Sequence, residues 1–129
     1  MSATLYKMSE QPWGILVENR EGYVMKPEIA MEKWQEMLAF AARVGKPKIL
    51  IHSPGFRSAM QISDWLDLKD LLLREAPPGL RFAFVIPGWA HTPDTELMVT
   101  MMNNYGFPNR IFETKEEAIA WLENPVDEF

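Results

Sequence analysis

Lys48-Ile49-Leu50-Ile51-His52 and Phe82-Ala83-Phe84-Val85-Ile86 decide the fold of this chain. Each run is apolar at successive positions rather than at alternate ones. A strand with one wet face alternates apolar and polar residues, whereas a strand covered on both faces reads as a continuous apolar run. Branched and aromatic side chains suit the pleated backbone. Turn residues close both runs, Ser53-Pro54-Gly55 after the first and Pro87-Gly88 after the second. Strands buried on both faces need helices to cover them.

The flanking sequence supplies those helices. Over 27–44, Ala30, Trp34, Met37, Leu38, Ala41 and Val44 recur at a helical period. Pro27 suits the first turn, and Gly45 stops the helix. Glu28, Glu32, Lys33 and Glu36 are expected to fill its solvent face. A second helix is expected over 58–75, opened by Ser58 and Gln61 at capping-box spacing. Ile62, Trp65, Leu66, Leu72 and Leu73 form its apolar stripe, and Ala76-Pro77-Pro78-Gly79 ends it. Thr92-Pro93 opens a third helix, 92–105, with Leu97, Met98, Met101, Met102 and Tyr105 on one face. Asn109 to Phe112 reads as a short strand. Thr114 and Glu117 cap a last helix that turns Ala118, Trp121 and Leu122 inward.

At the other end, residues 5–10 and 14–18 read as two short strands around the Pro12–Trp13 break, expected to be antiparallel. The order is therefore β-β-α-β-α-β-α-β-α. Alternating strands and helices imply parallel pairing through right-handed crossovers. The expected fold is α/β: a mixed, mostly parallel five-stranded sheet with about four helices. Residues 1–123 form a single domain in this reading, and 124–129 an acidic tail that contains Pro125.

Composition narrows the function. The 129 residues include no Cys, which removes disulfides, thiolate metal sites and cysteine nucleophiles. Thirteen basic residues against eighteen acidic ones leave a net charge of −5, unsuited to non-specific nucleic-acid binding. No apolar run approaches ~18 residues, so no transmembrane segment is expected. Residues 1–12 lack the layout of a signal peptide. A cytoplasmic location follows as the expectation. No metal, cofactor or catalytic residue is expected, since no G-x-S-x-G elbow or helical H-x-x-x-H spacing occurs.

Ligands of open α/β sheets sit outside the carboxyl ends of the strands. That edge should carry His52, Ser53, Arg57, Ser58, Trp89, His91 and Thr92, both histidines included. His52, Trp89, His91 and Thr92 are candidates for a ligand edge. Ser58, with Arg57 beside it and Ser53 nearby, is a candidate phospho-acceptor or partner contact, because a helix N-terminus stabilises a phosphate. Ile62, Leu66, Met98 and Met102 are candidates for an apolar pocket between the second and third helices, with a cavity of ~300 Å³ or more.

The element order resembles the STAS domain, and more closely the small SpoIIAA-like proteins of bacteria. The resemblance spans about residues 14–122. Gly22 follows a strand and precedes a polar helix start. The strand Ile49–His52 runs into Phe56 and then a Trp-containing helix with Asp70. Phe82–Ile86 runs into Gly88 and Trp89. The close is Arg110-Ile111-Phe112, Glu116-Glu117-Ala118 and Ala120-Trp121-Leu122. The resemblance implies a non-catalytic regulatory or protein-interaction module, like the anti-sigma-factor antagonists, with a protein partner and a homodimer as an option. In classical members a serine at the start of the helix after the third strand is phosphorylated by a partner kinase, and Ser58 is its nearest positional equivalent here. A small apolar or lipid-like ligand is the alternative, by analogy with lipid-carrier domains.

Overall fold

The computed structural model describes residues 5–55 and 57–124. Phe56 and residues 125–129, which include most of the acidic tail, lie outside them. The elements are β1 (Tyr6–Gln11), β2 (Gly14–Asn19), β3 (Val24–Met25), α1 (Pro27–Val44), β4 (Lys48–His52), β5 (Arg57–Ser58), α2 (Ile62–Glu75), β6 (Arg81–Val85), α3 (Pro93–Asn104), β7 (Asn109–Phe112) and α4 (Lys115–Glu123), with a 3-10 turn at Gly88–Ala90.

The main sheet has the order β1-β2-β4-β6-β7. β1 and β2 pair antiparallel, and the other neighbours pair parallel. The fold is thus the α/β class that the sequence indicates, with a mixed five-stranded sheet and four helices. The order never reverses. Three right-handed crossovers that step the same way across a sheet place their helices on one face. Accordingly α1, α2 and α3 share a large core with Ile15, Val17, Ile49, Ile51, Phe82 and Phe84. α4 alone covers the other face, where Ala118 and Leu122 meet Leu50, Ala83 and Val85. Neighbouring residues of one strand thus belong to different cores, which is why β4 and β6 are apolar throughout.

A close approach fixes the start of β2. A Cβ on Gly14 would lie 2.2 Å from the carbonyl oxygen of Lys48 on the paired strand. The obstacle is backbone, so it cannot rotate away. Gly14→Ala is expected to cost about 1–3 kcal/mol, read as a lower urea midpoint with an unchanged denaturant slope. An unshifted midpoint would mean that β2 and β4 part there without penalty.

Four features depart from the sequence reading. First, α2 begins at Ile62 rather than at Ser58. Asp64 accepts the Gln61 backbone N–H at 2.8 Å, so Gln61 caps the helix. Second, Arg57 and Ser58 instead pair in parallel with Val24 and Met25, a second small sheet whose two-residue strands are too short to announce themselves in the sequence. Third, Leu73, Leu97 and Tyr105 face solvent, as do Ile62 and Leu66. The stripes of α2 and α3 are wider than the surface that their neighbours can cover. Fourth, Lys33 is not on the wet face of α1 but 3% exposed.

Candidate functional site

Lys33 lies one helical turn beyond Ala30 and one before Met37, both in the core. Its side chain runs under the carboxyl ends of β2 and β4. There its Nζ donates to Oδ1 of Asn19, the last residue of β2. Nδ2 of Asn19 donates in turn to Oγ of Ser53, just past β4, at 2.6 Å. The Ser53 backbone N–H is held by the Val85 carbonyl at 2.9 Å. Three elements therefore converge on one buried polar chain.

Two rings flank the amine. Nζ lies 4.5 Å from the centroid of the Tyr23 ring and 5.5 Å from that of Tyr6. The turn after β2 brings Tyr23 over it: the Tyr23 N–H bonds the Arg20 carbonyl, and Gly22 adopts φ 86°. That left-handed conformation favours glycine. The β3–β5 pair, tied further by Ala59 N–H to the Met25 carbonyl at 2.9 Å, covers the cluster.

Burial alone pushes the Lys33 amine down to about 7, from an ordinary 10.5. Desolvation is the cause, and no carboxylate among the described residues offsets it. Burial also pushes the Tyr23 phenol up to about 12. The Tyr23 Oη is buried with no hydrogen-bond partner. Among these groups lies a hollow of about 20 Å³, lined by Asn19, Tyr23, Lys33 and Ser53 on its polar side. A broader surface groove of about 550 Å³ runs beside β1 and α1 past Tyr6, Met8 and Phe40. The small hollow is the stronger candidate, because among the described residues the two strongly shifted groups, Lys33 and Tyr23, meet there.

The structure brings only part of the sequence-derived set together. Ser53 is buried in the Lys33 cluster. His52, one residue earlier, points to the opposite face of the sheet. Its Nδ1 lies 3.9 Å from Glu18 Oε2, and Lys115 reaches the same carboxylate at 2.9 Å. The Glu18 carboxyl is held low mainly by the Lys115 hydrogen bond. The His52 imidazole is held low by burial and then by Lys115, against the pull of Glu18. His91 and Thr92 are exposed. Nε2 of His91 lies 3.1 Å from the Ile86 carbonyl, and Thr92 caps α3. Trp89 is 79% exposed. Ser58 sits in β5, where its Oγ accepts the Met60 N–H at 3.2 Å, and Arg57 beside it is exposed. Ser58 is therefore not the cap of α2, a place that Gln61 takes. Met98 and Met102 lie in the core, whereas Ile62 and Leu66 face solvent, so these four do not line a common pocket.

The sequence reading missed Lys33, Asn19 and Tyr23. A signal existed for Lys33: it lies i+3 from Ala30 and i−4 from Met37, on the edge of the apolar stripe. Asn19 and Ser53 each follow an apolar strand, where a polar residue enters the carboxyl edge. No helix among the described residues is long and apolar enough to cross a membrane. No family model, curated protein or solved structure matches the chain.

Proposed function

We propose that the domain is a non-catalytic protein-interaction module of STAS type, acting in the cytoplasm, that docks a partner on the outer face of α2 and α3. The observation that carries this reading is the distribution of exposed apolar side chains. Among the described residues the large ones are Ile62, Leu66, Leu73, Trp89, Leu97 and Tyr105. All belong to α2, to α3 or to the turns at the ends of α3. On α2, Ile62, Leu66 and Leu73 are spaced i, i+4 and i+11 and so form one line along the helix. Lys69 lies on the same line, with its Nζ 5.0 Å from the Tyr105 ring centroid, which joins the two helices' outer faces. Exposed apolar side chains gathered on two neighbouring helices support a partner-binding role.

The border of the patch is acidic. Asp67 and Asp70 of α2 and Glu96 of α3 are exposed beside it. A partner whose apolar contact is flanked by Lys or Arg fits this border. The same acidity and the net charge of −5 disfavour a nucleic acid.

The test is a quantitative capture experiment from the native host with wild type and Ile62→Asp/Leu73→Asp. Both positions are exposed, so stability should change by no more than about 0.5 kcal/mol each. A specific partner should be lost from the variant by tenfold or more. Sedimentation of the purified proteins covers the case in which the partner is a second copy: the wild type then dimerises and the variant does not. Identical capture and identical sedimentation would remove the reading.

A further inference from the structure

The sheet ends in β7 on one side and in β1 on the other. An edge strand presents outward N–H and C=O groups, a template for another strand unless something covers them. On β7 a side chain does so. Asn103 of α3 takes both outward groups of Asn109: its Oδ1 accepts the N–H at 3.2 Å, and its Nδ2 donates to the carbonyl at 3.4 Å. β1 is open by comparison. Pro12 and Trp13 close the β1–β2 hairpin between Gln11 and Gly14, and the Arg20 N–H bonds the Leu5 carbonyl at 2.8 Å. Bonded pairs alternate along an antiparallel ladder. Leu5, Lys7, Ser9 and Gln11 therefore bond β2, while the N–H and C=O of Met8 and Glu10 point away from it. No main-chain group among the described residues bonds them.

Charge is arranged along the same edge. The groove between β1 and α1 is lined by Met8, Ala39 and Phe40, with Glu36 and Arg43 along its helix wall. Glu36 accepts the Tyr6 hydroxyl at 2.6 Å. The Arg43 guanidinium lies 5.0 Å from the Phe40 ring centroid, and no carboxylate among the described residues pairs with it. Glu10 projects from the same face of β1 as Met8. Its exposed carboxylate is held by Lys46 at 2.8 Å.

We propose that the β1 edge is a homodimer interface, in which two copies join antiparallel about a two-fold axis through Ser9 and Glu10 of each copy enters the groove of the other beside Arg43. Such an interface must be self-complementary, and charge selects the register. An axis through Lys7 sets two ammonium groups against each other. An axis through Glu10 does the same with two carboxylates. An axis through Met8 puts Glu10 opposite Tyr6, beside Glu36. The axis through Ser9 puts Glu10 opposite Met8, on the Arg43 side, and opposes no like charges. Two small hydroxyls then meet on the axis, and Lys7 faces Gln11. The main chains exchange hydrogen bonds through Met8 and Glu10, so the two sheets become one. This edge is separate from the outer face of α2 and α3, and the inference does not rest on docking there.

The experiment begins with sedimentation equilibrium of the full chain. At about 100 µM the wild type should be a dimer, twice the 14.9 kDa chain mass. Arg43 and Glu10 are exposed, so their substitution should leave the fold intact. Arg43→Glu and Glu10→Arg should each weaken dimerisation by roughly tenfold or more. The double variant restores opposite charges across the interface and should return to within about threefold of the wild type. Disulfide trapping reads the register, since the chain has no Cys of its own. The Ser9 pair is of the non-hydrogen-bonded kind, with Cα atoms about 4.5 Å apart, within reach of a disulfide. Ser9→Cys should therefore cross-link two copies in diamide. Lys7→Cys, roughly 14 Å from its own counterpart, should not. A monomeric wild type would overturn the interface. So would a dimer that is unchanged by both charge variants, or one that cross-links as well at position 7 as at position 9. A dimer lost in Ile62→Asp/Leu73→Asp but kept in Arg43→Glu would place the contact on the helices instead and equally overturn it.

Discussion

The stability of the protein toward urea should rise between pH 7.5 and 9.5, by roughly 2–3 kcal/mol. The cause is Lys33. Its amine is pushed down to about 7 in the fold and returns to the ordinary 10.5 when the chain unfolds. Between those values the unfolded chain binds a proton that the folded chain does not, and stability then rises with pH. Below about pH 7 both states hold the proton, and the full cost of burying an ammonium is present. Neighbouring groups bound the window. The His52 imidazole is held below its ordinary 6.5 and has lost its proton before the window opens. The Tyr23 phenol is pushed up from 10.0 to about 12, so above pH 10 the unfolded chain releases its proton first and stability falls again. The control is Lys33→Met, in which the rise should vanish. The two proteins should differ most at pH 6 and converge as the pH increases. Parallel curves would show that Lys33 keeps its proton in the fold, and that its surroundings solvate it better than the contacts indicate.

Lys33 also shows where sequence reading stops. Most of the architecture is legible because it rests on repetition. Ile49-Leu50-Ile51 and Phe82 to Ile86 have apolar residues on both sides, and only a sheet covered on two faces satisfies them. Pro27, Gly45 and Pro77 mark helix ends by backbone geometry that no distant contact alters. At the carboxyl edge Ser53 is buried at one end of the polar chain that Asn19 links to Lys33. The chemistry of that edge was not legible. A lysine beside an apolar stripe reads as solvent-facing, because the cost of burying it is set by residues distant in sequence. Here those are Asn19, 14 positions away, and the Tyr6 and Tyr23 rings. Ser58 failed for the converse reason. Its spacing to Gln61 mimics a cap, but Gln61 with Asp64 forms a cap of its own. The pairing of Arg57 and Ser58 with Val24 and Met25 joins segments more than thirty residues apart. No local pattern encodes such a pair of two-residue strands.

The unequal faces of the sheet lead to the second large effect. Phe82→Ala should lower the unfolding free energy by about 3–5 kcal/mol, and Val85→Ala on the same strand by clearly less. Both residues are buried in β6, but they point in opposite directions. Phe82 is enclosed by the three-helix side, with its ring centroid 4.9 Å from that of Trp34 and 6.0 Å from that of Phe84. Truncation there removes aromatic contacts as well as apolar burial, and it leaves a cavity walled by three helices. Those helices are held to strands at both ends and cannot collapse into the space. Val85 faces α4, a nine-residue helix that packs on this face alone. α4 can settle toward the sheet and recover part of the loss, and fewer atoms are removed. Urea titration of both variants with a common denaturant slope measures the difference. Equal losses would mean that α4 is as firmly placed as the three crossover helices. A loss at Phe82 below about 2 kcal/mol would mean that Trp34 repacks into the vacated space. Since Trp34 also walls the hollow beside Lys33, that repacking would appear independently as a change in the pH dependence of stability that Lys33 sets.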